Sequence, residues 1–423
     1  MNRDIILGAG ITGLSSGFKT GLDIYESRNR PGGICLSYYA NRKGITKKTL
    51  NTYRFEIGGG HWIFGGTPKV SRFIRSLVRI KKYERKSAVF FPKTNLFVPY
   101  PIQNHLYYLP DRIKRKALDE ILNKKSGSEE IDTMRDWLLL NFGKTLSRHF
   151  FFSFHEAYTA GLYKKIAPQD KYKTPVNNRL IVDGAREKTP SVGYNSTFDY
   201  PVSGLDNLIK KLAAKCNIHY EKEVVHIDIN KKKVYFRDNT ERTYNKVIST
   251  IPLNKMMHLT GINAGKQDPY TAVLVVNIGA SKGILCPSHH WLYVPSSESG
   301  LHRIGFYSNV DSSFLPDRNN RVSIYVEKAY RSGTNLSSAQ KNINVKRILD
   351  ELTMWRFIDK VDVADATWID TAYTWNYPNS IWREKAISML KQHGIYQIGR
   401  YGKWKFQGIA ESLKDGLESE KNI

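Results

Sequence analysis

Ile5-Ile6-Leu7-Gly8-Ala9-Gly10-Ile11-Thr12-Gly13-Leu14 stands close to the start of the chain. Three apolar residues, the spacing Gly-x-Gly-x-x-Gly and a helix-compatible stretch to Thr20 read as strand, tight turn and helix. A second strand, Leu22 to Tyr25, ends on Glu26, 18 residues after Gly8. In a βαβ nucleotide unit an acid ~20 residues on meets the ribose. Each glycine has a physical job there. Gly8 permits the tight turn, Gly10 lets the backbone approach a pyrophosphate, and Gly13 lets helix and strand close up. The first helical turn, at Ile11 and Thr12, offers free N–H groups and the positive end of the helix dipole to phosphate. The stretch predicts a dinucleotide-binding unit but does not separate NAD from FAD.

Working outward, the first ~75 residues read as strand, glycine turn, helix, strand and a Gly-rich loop. Residues 108–190 look mainly helical, with a capped helix expected to begin at Asp132 and Met134, Trp137 and Leu138 at helical spacing. Short β-rich runs follow at Val224 to Ile229, Lys233 to Phe236 and Val247 to Ile251, and a long β region runs from Ala272 to Val326. The end reads as a strand at Ile395 to Ile398, a polar-aromatic loop and a helix from about Ile409. The expected fold class is α/β: a discontinuous Rossmann-like domain (1–75, 195–262 and 385–423), a mainly helical domain (100–190) and an antiparallel-sheet substrate domain (76–99 and 265–384).

With 423 residues, 41% of them hydrophobic and 25% charged, the chain is too long for one ordinary core and too apolar for wholesale disorder. No run approaches the ~20 apolar residues of a membrane span, and Ile5 follows too soon for a signal peptide ahead of it. Cys35, Cys216 and Cys286 are isolated, which argues against a disulfide framework or a zinc site. A reducing, cytoplasmic setting is expected. The net charge of +26 attracts anions, but it is spread in short runs such as Lys47-Lys48, Lys124-Lys125 and Lys231 to Lys233. A nucleic-acid tail would cluster it. No nucleic-acid partner and no metal are expected.

Ser27-Arg28-Asn29-Arg30-Pro31-Gly32-Gly33 resembles the second glycine pair of the glutathione-reductase-type FAD enzymes. Gly399-Arg400 after a strand, and Gly408-Ile409 opening a helix, are similar to the segment those enzymes aim at the flavin. This resemblance implies FAD. Further blocks resemble the UDP-galactopyranose mutases, above all their eukaryotic-type members. They are Phe55-Glu56-Ile57-Gly58-Gly59-Gly60-His61-Trp62, Pro99-Tyr100-Pro101-Ile102-Gln103-Asn104 and Tyr194-Asn195-Ser196-Thr197-Phe198-Asp199-Tyr200-Pro201. Trp291 to Pro295, His302-Arg303, Asn376-Tyr377-Pro378 and Gly399 to Trp404 complete the set, in family order along most of the chain.

The mutase resemblance implies a redox-neutral isomerase. Reduced FAD would be the nucleophile at the anomeric carbon of a nucleotide-diphosphate sugar, interconverting pyranose and furanose forms, with NADPH or NADH as a conceivable reductant. It implies His61 beside the flavin, Arg303 and Arg400 on the diphosphate, Tyr377 on a phosphate, Tyr100, Gln103 and Asn195 facing the substrate, and Val224 at the adenine. It also implies an arginine from the helical region, for which Arg179 and Arg186 both qualify. Three positions depart from the pattern: Phe406 replaces a phosphate-binding tyrosine, Val310 an aromatic residue, and Thr159 a tryptophan. A paired guanidinium is the natural clamp for a diphosphate, since its fork holds two oxygens at once. The alternative is an FAD-dependent oxidoreductase of the amine oxidase or desaturase type, which favours an apolar or aromatic cavity. The oligomeric state, homo-oligomers included, stays open.

Overall fold

The computed structural model describes residues 4–123, 131–169, 176–190, 195–202, 204–317 and 319–422. Tyr194 and the Lys124-Lys125 run lie outside them. Five short strands form a parallel sheet in the order Ile218–His219, Asp23–Tyr25, Ile5–Leu7, Val247–Ser249, Ile395–Gln397. Its centre is fully buried, with Ile5, Ile6, Leu7, Val247 and Ile248 all at 0% exposure. Sheets covered on both faces need such unbroken apolar strands. Helix Ile11–Thr20 lies against helix Ile409–Leu417. They approach so closely that a Cβ on Gly416 would sit 2.2 Å from the Thr12 carbonyl oxygen. Ser16 and Ser419 share a hydrogen bond of 2.8 Å across the same seam.

A seven-stranded sheet runs in the order Ile358–Thr374, Tyr270–Lys282, Arg321–Arg331, Arg303–Phe306, Trp291–Tyr293, Ser87–Phe91, Leu96–Pro99. Its pairs are antiparallel as expected, except that Trp291–Tyr293 runs parallel to Ser87–Phe91, which makes the sheet mixed. The two strands of that pair are almost 200 residues apart in sequence, so no hairpin dictates their direction. The 17-residue strand Ile358–Thr374 has no counterpart in the sequence reading. It carries Asp359, Asp362, Asp365 and Asp370, a residue type that strands avoid. The structure answers three of them with partners, Asp370 through an ion pair with Lys255 at 3.6 Å. Asp362 accepts from the Tyr53 hydroxyl (2.8 Å) and Arg321 Nε (2.8 Å), and Asp365 from the Tyr38 hydroxyl (2.6 Å).

Helices Asp111–Leu122, Met134–Leu146, Phe152–Tyr158 and Asn178–Arg186 form a block that shares a core with strands Ser87–Phe91 and Leu96–Pro99 of the seven-stranded sheet. The second begins two residues later than expected. Thr133, not Asp132, caps it by accepting from the Asp136 N–H at 3.3 Å. Trp137, Phe142, Phe150 and Phe151 fill the core of this block, and full burial of each such side chain stabilises by about 1.5–3 kcal/mol.

Candidate active site

The glycine turn opens the first cavity, of about 440 Å³. Gly8 has φ +95°, a conformation that favours glycine. A Cβ on Gly13 would lie 1.9 Å from the Gly8 carbonyl oxygen, so only glycine lets the helix start this close to the turn. Gly13 therefore acts from behind the wall. Gly10 faces open space, with nothing within 4 Å of a Cβ built there. The Gly32 N–H donates to the Ala9 carbonyl (2.8 Å), which fastens the second glycine pair alongside the first. Glu26 is a brace as well as a wall. Its carboxylate accepts from the Ala9 N–H (2.7 Å), the Arg28 N–H (2.9 Å) and the Ser27 hydroxyl (3.1 Å).

Helix Ile11–Thr20 has no side-chain cap and no acid in its first turn, and helix Ile409–Leu417 starts at Gly408 on the same cavity. At the second of these the Gly408 N–H already donates to Glu411 (2.7 Å); the uncapped N–H groups of the first helix and a side-chain-free turn fit a pyrophosphate-linked dinucleotide. The structure gathers Gly8, Gly10, Ile11, Thr12, Glu26, Ser27, Gly32, Gly33, Gly60, His61, Gly399, Arg400, Gly408 and Ile409 around this one space. Val224 is not in its wall; it pairs with Phe236 on a separate three-stranded sheet.

Strand Tyr53–Glu56 delivers the Gly58-Gly59-Gly60-His61 loop. Glu56 is fully buried beneath it, hydrogen-bonded by the Tyr200 hydroxyl and, at 3.4 Å, by the His61 N–H. Burial pushes its carboxyl up to about 8. A Cβ on Gly60 would meet the Tyr325 hydroxyl at 2.3 Å. His61 Nδ1 lies 3.0 Å from the Gly59 carbonyl oxygen. A carbonyl only accepts, so Nδ1 carries the proton and Nε2 keeps a lone pair. Burial, aided by the Arg400 charge, brings the ring down to about 4, so it is neutral at neutral pH.

A second cavity of about 400 Å³ shares Gly60, Trp62, Phe64, Arg303, Tyr373, Phe406 and Gly408 with the first. Its wall is aromatic, from Tyr100, Phe150, Phe154, Tyr158, Tyr293 and Trp375 among others. Arg303 is ion-paired with Glu327, whose other oxygen accepts from the Tyr373 hydroxyl at 3.2 Å and lies 3.5 Å from His302 Nε2. Burial alone would push Glu327 up, but Arg303 and His302 outweigh it and hold the carboxyl at about 2. Arg400 donates to the Ala372 carbonyl (2.9 Å) and packs 4.6 Å from the Phe406 ring centre. Arg85, on the wall of the second cavity, donates to the Tyr100 carbonyl (2.9 Å). Buried polar atoms around this cavity without a hydrogen-bond partner among the described residues include Trp291 Nε1, Trp375 Nε1, Gln169 Nε2 and His302 Nδ1. Leaving such a group unmet costs about 1–3 kcal/mol.

Tyr100, Asn195 and Arg303 stand in this second wall. Gln103 is buried but outside the wall of either cavity. Tyr377 is outside both as well; its N–H donates to Asp268 (3.0 Å) and Lys266 lies over its ring. Neither helical arginine reaches the site. Arg179 is exposed, 4.0 Å from Asp183 one helical turn on, and Arg186 is exposed at the helix end. Arg85 supplies a guanidinium instead, from the segment before the second sheet. It sits in a run of surface cations and carries no sequence signal of its own. Glu327, Tyr373 and Gln169 were likewise absent from the sequence reading.

The chain matches the family of flavin containing amine oxidoreductases over residues 14–412, and it belongs to that family. The family indicates an enzyme that uses FAD. A crystal structure of reduced UDP-galactopyranose mutase superposes with a TM-score of 0.85 at 20% identity, covering 99% of this chain and 94% of that one. A fatty acid isomerase from P. acnes gives 0.62 at 13% identity, covering 100% and 98%. Putrescine oxidase with putrescine bound gives 0.58 at 12%, covering 100% and 98%. At these identities the likeness is one of fold. Among the described residues no helix is long and apolar enough to cross a membrane.

Proposed function

We propose that this flavoprotein is a mutase that interconverts pyranose and furanose forms of a nucleotide-diphosphate sugar, of the UDP-galactopyranose type. One observation carries the reading: the two adjoining cavities are lined by three guanidinium groups, Arg85 in the second, Arg400 in the first and Arg303 in both, with buried polar atoms around the second that lack partners among the described residues. A ligand rich in oxygen and negative charge satisfies both. An apolar substrate would leave the unmet atoms unmet.

Bound and reduced, FAD supplies a nucleophilic ring nitrogen for the anomeric carbon. The protein's part is binding, orientation and exclusion of water. Arg303 and Arg400 hold the diphosphate near the carbon it leaves, so that it recombines with the same sugar. Glu327 fixes the Arg303 fork and cancels one unit of its charge, so the net positive charge rests on Arg85 and Arg400. His61, neutral and tethered through Nδ1, offers Nε2 as a hydrogen-bond acceptor at the edge of the cradle.

Anaerobic incubation of the dithionite-reduced enzyme with a panel of nucleotide sugars tests the proposal, with products identified by NMR. Furanose formation is expected, and Arg303→Ala and Arg400→Ala should weaken nucleotide-sugar binding at least tenfold with the flavin spectrum intact. The oxidoreductase reading has one observation in its favour, the aromatic lining of the second cavity. Inactivity of the reduced enzyme, with oxygen-dependent turnover of an amine, would replace the mutase reading with that one.

A further inference from the structure

Large apolar side chains stand singly on most protein surfaces and need no explanation there. Here they gather. Of the six that are more than half exposed among the described residues, four lie at one end of the seven-stranded sheet: Ile45, Leu50, Ile284 and Met354. At that end strand Tyr270–Lys282 finishes and strands Arg321–Arg331 and Ile358–Thr374 begin. Two exposed loops stand there. The first starts at the turn between strands Ser37–Asn41 and Gly44–Thr46 and runs on to Asn51. Its Arg42 donates to Asp362 (3.0 Å), which also accepts from Arg321, and the Leu50 carbonyl accepts from the Asp317 N–H (2.6 Å). The second runs from Lys282 to Cys286. The Lys282 N–H ties it to the Asn320 carbonyl (3.1 Å), and the Leu285 N–H ties it to the Arg356 carbonyl (3.0 Å). Ile45 is 65% exposed, Leu50 75% and Ile284 77%.

The charge at this end has one sign. From Arg42 to Tyr53 the sequence holds four cations and no acid, and the Lys47-Lys48 run among them has no task in holding a diphosphate. Two exposed acids, Asp317 and Asp359, lie beside the loops and are matched by Arg356 and Lys360. Aliphatic side chains rimmed by cations fit an anionic bilayer. Its headgroups attract the cations, and the apolar side chains enter the boundary with the acyl chains. We propose that this end of the sheet docks the protein on an anionic lipid surface, with Lys43, Lys47 and Lys48 against the headgroups and Ile45, Leu50 and Ile284 inserted between them. A nucleic-acid strand calls for rings on which bases stack, and neither loop carries one. A second copy related by a two-fold axis would bring like charges face to face.

The test is co-sedimentation of the flavin-loaded full chain with vesicles of phosphatidylcholine containing about 30% phosphatidylserine, beside vesicles of phosphatidylcholine alone. The wild type should bind the anionic vesicles about tenfold more tightly or better, and added salt should release it. Lys47→Glu/Lys48→Glu should cost about tenfold in affinity. Lys231→Glu/Lys232→Glu, at a turn of the separate three-stranded sheet, lowers the net charge equally and should bind as wild type does. Ile45→Ser/Leu50→Ser keeps the charge and should weaken binding about fivefold. Ile284→Ser/Leu285→Ser, on the other loop, repeats that measurement independently. Equal binding to both kinds of vesicle, equal losses in the two charge-reversed variants, or full binding by both serine variants overturns the proposal. So does binding of a DNA strand at physiological salt that Lys47→Glu/Lys48→Glu abolishes, or a dimer in solution that Ile45→Ser/Leu50→Ser dissociates, since either gives this end to another partner.

Discussion

The two cavities adjoin, yet they are built by opposite means. The first is made by backbone: glycines at positions 8, 10, 13, 32, 33, 60, 399 and 408, and two helix starts. The second is made by side chains: stacked aromatic rings and two guanidinium groups, Arg85 and Arg303, the latter paired with the buried carboxylate of Glu327. Backbone sites demand particular residues at fixed spacing, because a Cβ in the wrong place meets a carbonyl. Side-chain sites can be assembled from any element whose residue reaches the space. The first kind leaves a pattern in one dimension and the second does not.

The sharpest break would come at Gly13. Gly13→Ala puts a methyl 1.9 Å from the Gly8 carbonyl, so the purified variant should be colourless, with no absorbance near 450 nm. A yellow Gly13→Ala protein with full flavin content would refute the backbone account of the first cavity. Next in size is Glu327→Gln, which leaves the Arg303 charge buried without a counter-charge. Removing one partner of such a pair costs about 3 kcal/mol or more. Urea unfolding measures this, and a loss under about 1 kcal/mol would mean that the pair is solvated.

Two of the neutral histidines, His61 on the first cavity and His155 on the second, give a pH test. They are held at about 4 when folded, below the ~6.5 of an unfolded chain. The unfolded state binds these protons first, so their contribution to stability should fall as pH drops through about 6.5 and level off near 4. His155→Phe should flatten that slope; an unchanged slope would show that the ring is wet. The smallest effect is at Phe406, which packs on Arg400 and lines both cavities. Phe406→Tyr should tighten nucleotide-sugar binding several-fold, by adding a donor toward the phosphates. Weaker binding would show that the hydroxyl has no oxygen to meet.

These contrasts also explain what could be read in advance. The Gly8 to Glu26 unit, the three-part origin of the parallel sheet and the final helix from Ile409 were legible, because each is a local pattern with a steric cause. The Ile358–Thr374 strand was not, because its aspartates argue against a strand until Arg42, Arg321, Tyr38 and Tyr53 arrive from far along the chain. Arg85 was illegible for a similar reason. Nothing local separates it from Lys82 or Lys86, both exposed, and only the fold turns it inward. Arg179 and Arg186 fail for the converse reason: their helix turns them to solvent. Tyr377 was assigned by likeness alone, and its chain segment is tied to Asp268 instead.

The seam between helices Ile11–Thr20 and Ile409–Leu417 bears on how the molecule is made. The ribosome releases the glycine turn first and its companion helix nearly 400 residues later. Until residues 395–417 are made, strand Val247–Ser249 lacks its outer neighbour Ile395–Gln397, and one wall of the cradle is missing. A nascent chain therefore exposes an unpaired parallel edge and cannot close the cradle until those residues emerge. Contacts this remote in sequence form slowly and late. Chaperones and a ready supply of flavin should raise the soluble yield of this protein far more than they would for one whose nucleotide unit is a single continuous stretch.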